Sequence, residues 1–190
     1  DDVESRGLGD VYKRQVVGVL CVLFAFLYTT GPYPLSYNGW GDVLVIVFFG
    51  FVPVGGTYYV QALTWTPDVT IASLICGLLI DTLLVVNNYR DREADARSGK
   101  RTVIVRFGEK FGRYFYLMLG VTASLLCLCF LREGHFLAAL LPQLYLIPHF
   151  LTWKRMVKIY SGKKLNSILG ETSRNMLFMG VLIAIGMLVS

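Results

Sequence analysis

Asp91 and Asp95 stand four residues apart in the stretch Asn87 to Thr102, which reads NNYRDREADARSGKRT. On a helix, residues at i and i+4 project from one side, about 40° from each other. Asn88 lies seven residues before Asp95 and so on the same side, which makes an amide and two carboxylates converge. Hard oxygen ligands in this number suit Mg2+, which keeps several waters and binds one or two carboxylates together with substrate phosphates. Zinc would favour Cys or His, and the stretch has neither. Gly99 can end the helix, and Lys100, Arg101 and the Thr102 hydroxyl then follow beside the pair. Carboxylates for a metal, with cations for oxyanions, are what a diphosphate ester requires. Because two carboxylates alone repel a diphosphate, charge demands the metal. Arg90 is expected to pair with the carboxylates or to bind phosphate. The competing reading is a solvated basic loop with incidental ion pairs, since two Asp residues at this spacing recur by chance.

The elements that must hold these residues are apolar. Of 190 residues, 55% are hydrophobic and 16% charged, with a mean hydropathy of +0.56. Between Gln15 and Arg90 there is no Lys or Arg, and the only acids are Asp42, Asp68 and Asp81. Charge gathered between long apolar runs marks an all-α polytopic membrane protein in a lipid bilayer. Six transmembrane helices are predicted, at Val16–Thr30, Val43–Leu63, Val69–Val86, Tyr114–Leu131, Phe136–Trp153 and Met176–Val189, the first and last being short. Backbone in hydrocarbon must satisfy its own hydrogen bonds, which leaves helices as the reading of these runs.

Eight Lys and Arg lie between Arg90 and Arg113 and six between Lys154 and Arg174, while only Arg132 lies between the two groups. The positive-inside rule therefore places both basic loops, and the aspartate pair, in the cytoplasm. Topology accounts for the net charge of +5, and nucleic acid is excluded as a partner. The cysteines Cys21, Cys76, Cys127 and Cys129 sit in apolar runs without metal-ligand spacing, as small buried hydrophobes. His135 and His149 are isolated. Asp81 lies ten residues before Asp91, about 15 Å deeper at 1.5 Å per residue. An ionisable group at that depth faces the bundle interior and has a partner or a task.

The run NNYRDREADARSGKRTVIVRFG resembles the second aspartate-rich motif of the intramembrane aromatic prenyltransferases, the UbiA superfamily. It is most similar to the 1,4-dihydroxy-2-naphthoate polyprenyltransferases of menaquinone synthesis, whose pattern is N-N-x-R-D-x-x-x-D-x-x-x-G-K-x-T. Asn87, Asn88, Arg90, Asp91, Asp95, Gly99, Lys100, Thr102, Val105 and Gly108 match. The loop from Tyr28 to Gly41, YTTGPYPLSYNGWG, and the segment Gly56 to Gln61, GTYYVQ, resemble further parts of that family. The resemblance implies a transferase moving a polyprenyl group from polyprenyl diphosphate to dihydroxynaphthoate, with loss of diphosphate and carbon dioxide. It implies Mg2+ at Asp91 and Asp95, with Asn88 beside them, and diphosphate held by Lys100, Arg101 and Arg90. Tyr33, Tyr37 and Asp81 are candidates for acceptor contact.

That family has nine transmembrane helices and two aspartate-rich motifs. The six spans here correspond to helices 4–9, and the other motif occurs nowhere else in the chain. Residues 1–15, DDVESRGLGDVYKRQ, are foreign in composition to the rest and are expected to be non-native sequence; residues 16–190 are expected to be a partial prenyltransferase domain, inactive by itself. The implied location is a bacterial inner membrane. The alternatives are a sibling prenyltransferase acting on 4-hydroxybenzoate, a chlorophyllide or haem, and a transport or structural membrane protein. A CDP-alcohol phosphotransferase is disfavoured because its D-G-x-x-A-R lead-in is missing.

Overall fold

The computed structural model describes residues 2–30 and 34–189, with side chains from residue 11 onward. Those residues form six helices long and apolar enough to cross a membrane. We number them α1 (Asp2–Thr29), α2 (Gly41–Ala62), α3 (Pro67–Arg97), α4 (Val103–Glu133), α5 (Phe136–Ile159) and α6 (Lys163–Val189). The two spans expected to be short are longer. The apolar part of α1 reaches from Val11 to Thr29, and α6 begins at Lys163 rather than Met176. A helix bonds its backbone regardless of side-chain polarity, so it continues past the apolar edge that hydropathy detects.

Helix α3 organises the bundle and packs against α2, α4 and α6. Its start is set by Thr66, whose hydroxyl accepts from the Val69 N–H at 3.3 Å, with Pro67 in the first turn. A hydroxyl cap and a proline at the first position satisfy or remove donors that would otherwise be orphaned. At 31 residues, α3 is about 45 Å long, against a hydrocarbon core of about 30 Å. Its last turns, which carry Asp91 and Asp95, therefore have length to spare beyond the core.

Helix α2 is α-helical over Gly41–Val45, π-helical over Ile46–Gly55 and α-helical again over Gly56–Ala62. Pro53 lies within the wide stretch and has no N–H to contribute. There α2 crosses α3 closely: a Cβ on Gly50 would strike the Ser73 carbonyl and the Gly77 Cα, and one on Gly77 would lie 2.9 Å from the Ile46 Cα. Small residues that let backbones approach are a main source of helix association in lipid, where apolar burial drives little.

Polar pins join α4, α5 and α6. His149, fully buried, lies 3.0 Å from the Tyr145 hydroxyl through Nδ1 and 3.2 Å from the Leu117 carbonyl through Nε2. A carbonyl only accepts, so Nε2 carries the proton and Nδ1 accepts from Tyr145. The imidazole stacks on Tyr116, whose hydroxyl pairs with Thr172 at 3.0 Å. His149 is thus a structural link rather than an isolated residue. Gln143 donates to the Ser124 and Ala139 carbonyls, and Asn175 donates to Thr152. Large apolar side chains such as Leu177 and Leu188 remain exposed on the outside, a surface suited to acyl chains.

Candidate active site

Helix α3 ends as a Schellman motif, in which a left-handed glycine lets the chain turn back on the last carbonyls. Gly99 has φ +78°, its N–H donates to the Ala96 carbonyl, and the Lys100 N–H donates to the Asp95 carbonyl at 2.9 Å. This turn brings the Lys100 ammonium 3.4 Å from the Asp95 carboxylate. Asp95 is the more enclosed of the two aspartates, its side chain 13% exposed against 39% for Asp91. The expected helical face and glycine stop are therefore both present, and Asn88 is buried on that helix.

Arg90 grips Asp91 with two bonds, Nε to Oδ1 at 2.7 Å and Nη2 to Oδ2 at 2.6 Å. Its guanidinium also donates to the Asn87 side chain at 2.6 Å and to Asn166 of α6 at 2.9 Å. Each carboxylate of the pair therefore has its own cation, in the forked geometry arginine favours at Asp91 and as a point charge at Asp95. Among the described residues no group of three or more His, Cys, Asp and Glu lies together as a metal site. Two carboxylates fit a cation that takes most of its ligands from water and phosphate.

Thr102 differs from expectation. Its hydroxyl is buried and caps α4, accepting from the Val105 N–H at 3.3 Å, so it serves the backbone rather than the carboxylate pair. Arg101 is exposed, and its main chain holds the connection between α1 and α2: its N–H donates to the Tyr37 carbonyl at 2.7 Å. Arg106 strengthens the same junction, donating to the Asn38 carbonyl at 2.6 Å and to the Arg101 carbonyl at 3.1 Å. Gly39, at φ +80°, fits here because a Cβ would lie 2.9 Å from the Arg101 carbonyl. Residues 34–39 thus strap across the chain that follows the aspartate pair. Tyr37 is on this strap and exposed; Tyr33 lies outside the described residues.

A second cluster braces the same end of the bundle. The Arg92 guanidinium stacks over the rings of Tyr89 and Tyr160, and Arg113 stacks over Tyr160 and donates to the Tyr89 hydroxyl at 2.9 Å. Glu109 faces both arginines. Its hydrogen bond with the Tyr160 hydroxyl holds that phenol above its ordinary range.

Asp81 is fully buried on α3, and neither carboxylate oxygen has a hydrogen-bond partner among the described residues. Asp42, in the first turn of α2, is also buried. Sequence reading singled out Asp81 by its depth but passed over Asp42, Asn87, Asn166 and Arg106. Asn87 and Arg106 both stood inside the recognised run; Arg106 and Asn166 act across 68 and 76 residues of chain, and Asp42 through packing.

An all-helical, multi-pass membrane protein with paired aspartates at one helix end is the class these features define. A profile of the UbiA prenyltransferase family matches residues 15–188, and the chain belongs to that family. It is 33% identical over 191 aligned positions to a 1,4-dihydroxy-2-naphthoate octaprenyltransferase of Haemophilus influenzae, covering 98% of this chain and 61% of that protein. A protein of the same description from Escherichia coli is 39% identical over 126 positions, covering 66% and 41%. A 2-carboxy-1,4-naphthoquinone phytyltransferase of Synechocystis is 26% identical over 98 positions, covering 52% and 32%. The chain thus spans at most about three-fifths of the length of these relatives. No solved structure gives a significant match.

Proposed function

We propose that the chain is the C-terminal six-helix part, helices 4–9, of an enzyme that transfers a polyprenyl group from its diphosphate to 1,4-dihydroxy-2-naphthoate, releasing diphosphate and carbon dioxide. The observation that carries this reading is the end of α3, where Asp91 and Asp95 share one side of the helix and each is held by a cation, Arg90 or Lys100. The names of the Haemophilus and Escherichia relatives support the acceptor.

Enzymes of this family generally use Mg2+, and Asp91 and Asp95, with Asn88 nearby, are the residues that would hold it. When bound, the metal supplies positive charge against the diphosphate. Lys100 and Arg90 then turn from their carboxylates to the phosphate oxygens, and exposed Arg101 adds a third cation at the mouth. Negative charge growing on the leaving diphosphate is met by donors already in place. The apolar bundle houses the prenyl chain and keeps water from the electron-poor allylic carbon. In this reading Tyr37 on the strap covers the acceptor ring, and Tyr33 and the buried Asp81 are further candidates for that contact. In this reading the aspartate end faces the cytoplasm of a bacterial cell membrane, and residues 1–15 are not native to the domain. By the resemblance, the diphosphate site takes a companion aspartate-rich motif besides Asp91 and Asp95, and in this reading the 190 residues alone do not turn over.

The test is a product assay on the chain extended by its own upstream sequence to the length of its relatives, with Mg2+ and an allylic polyprenyl diphosphate. Prenylated, decarboxylated naphthalenediol is expected from dihydroxynaphthoate. Product from 4-hydroxybenzoate instead would replace this acceptor with that of a sibling enzyme, and turnover by the 190 residues alone would refute the need for a second motif.

A further inference from the structure

Arg90 is held along two edges of its guanidinium, and the two differ in charge. Asp91 takes the edge formed by Nε and Nη2, at 2.7 and 2.6 Å. The adjacent edge goes to two amides, with Nη2 donating to Asn87 at 2.6 Å and Nη1 to Asn166 at 2.9 Å. A guanidinium only donates, so each amide turns its oxygen toward Arg90 and its NH2 group away. Asn87 belongs to α3 and moves with Arg90. Asn166 opens α6, 76 residues further on, and among the described residues it is the one hydrogen-bond partner of Arg90 on another helix.

Asn166 is exposed, yet contacts on both sides fix its place. Leu165 and Ile168 are fully buried in the core, and further along α6 Glu171 pairs with Arg155 of α5 at 2.7 Å. On the other side, the connection from α5 begins at Tyr160, which has φ +66° and ψ −52°. The Ser161 N–H donates across it to the Ile159 carbonyl at 2.8 Å. This is a γ-turn of the rare, strained hand, which lasts only where the surroundings hold it. Arg92 of α3 and Arg113 of α4 do so by stacking on the Tyr160 ring. Both ends of the connection are thus fastened to the last turns of α3, at Arg92 and at Arg90, and Asn166 stands there as a fixed post.

We propose that Asn166 is a positioning residue for the diphosphate: a neutral acceptor on α6 that keeps the Arg90 guanidinium in place when Asp91 gives it up. The proposal rests on the prenyl-transfer reading above. A carboxylate orients a guanidinium but cancels its charge, whereas an amide oxygen orients it and leaves the charge whole. When Asp91 turns away, Arg90 loses the two bonds of its Nε–Nη2 edge, and a long flexible side chain without other support would lose its place. The amides retain the other edge. The vacated edge then faces outward as a ready fork for two phosphate oxygens, the geometry in which arginine binds phosphate most strongly. Ordering of the cation is thereby completed in folding rather than in binding. Asn166 itself touches neither substrate nor metal in this arrangement and acts only through Arg90.

Two measurements test it. The first needs no substrate and uses nitrogen NMR of the arginine side chains in the 190-residue chain in lipid nanodiscs. Asp91→Ala frees the Nε–Nη2 edge, and Arg90 should still give separate Nη1 and Nη2 signals, assigned by their loss when Arg90→Met is added. Asn166→Ala combined with Asp91→Ala should merge them, because the guanidinium then rotates. Merged signals in Asp91→Ala alone, or separate ones in the double variant, overturn the proposal. In the extended enzyme, Asn166→Ala should raise the KM for the prenyl diphosphate about tenfold, leave the KM for the acceptor unchanged, and add nothing to the effect of Arg90→Met. Asn166→Asp keeps an oxygen in place but cancels the charge, and should raise the same KM at least as much. Losses from Asn166→Ala and Arg90→Met that multiply would show that Asn166 acts elsewhere and would overturn the proposal, as would an unchanged KM in Asn166→Asp. An unchanged KM in Asn166→Ala removes this proposal alone. No prenyl transfer by the unmodified extended enzyme removes the reading beneath it, and the diphosphate role of Asn166 with it, even where the NMR signals behave as expected.

Discussion

The Arg106 guanidinium donates to the Asn38 main-chain carbonyl across 68 residues of sequence, at 2.6 Å, and with the Arg101–Tyr37 backbone bond it closes the strap over the end of α3. Replacing Gly39 by Ala places a Cβ against the Arg101 carbonyl at a left-handed φ, a conformation that costs about 1–2 kcal/mol without any clash. Gly39→Ala should therefore open the strap. Hydrogen exchange in residues 34–41 should quicken in lipid nanodiscs while α5 and α6 stay protected; unchanged exchange in the strap would show that the contact does not hold it.

Asp91→Ala and Asp95→Ala should each lower product formation by the extended enzyme by about three orders of magnitude, the upper range for losing one preorganised charge-stabilising group. Raising Mg2+ should recover part of the loss if the remaining carboxylate still binds the ion. A variant that keeps its full rate would remove that residue from the metal role proposed for it.

Arg90→Lys keeps the charge but cannot fork onto Asp91 while also reaching Asn87 and Asn166. Loss of these charged hydrogen bonds at a mostly enclosed side chain should destabilise the protein by about 1–3 kcal/mol. Thermal unfolding in detergent measures this, and a rise in KM for the prenyl diphosphate should accompany it. A lysine variant of unchanged stability would mean that the fork contributes nothing to joining α3 and α6.

Gly120 faces the His149 ring so closely that an added Cβ would overlap it, whereas a Cβ on Gly170, also helical, meets nothing within 4 Å. Gly120→Ala should cost about 1–3 kcal/mol by overpacking, and Gly170→Ala should be neutral or slightly stabilising through better helix propensity. Equal unfolding temperatures for the two variants would show that the α4–α5 contact yields freely.

Much of this was legible in the sequence, and what was missed follows a pattern. Asp91 and Asp95 on one face, the Gly99 stop and Arg90 pairing with a carboxylate were all readable, because helix geometry relates residues a few positions apart. The six helices were readable because lipid imposes a length and a polarity on each. Hydropathy misplaced the ends of α1 and α6, since it reports where apolar residues stop and the hydrogen-bonded backbone continues. Thr102 was misassigned because a hydroxyl beside a charged motif and a hydroxyl opening a helix look alike until the next turn is seen. His149 was read as isolated and Arg106 given no role because the contacts that join helices, to Leu117 and to Asn38, cross 32 and 68 residues of chain, and the burial of Asp42 leaves no local mark.

The pairing of Arg90 with Asp91 and of Lys100 with Asp95 leaves the end of α3 electrically balanced before any ligand arrives. On the proposed reading, a metal diphosphate would be taken up there by exchange: Arg90 and Lys100 would pass to the phosphates, and Asp91 and Asp95 would hold the metal. Binding on these terms is ion exchange, with the helix end as the resin. Affinity is then governed by competition between pairings, and simple salts compete for the same groups. The face is also protected against a vacant state in which two like charges would stand exposed to each other.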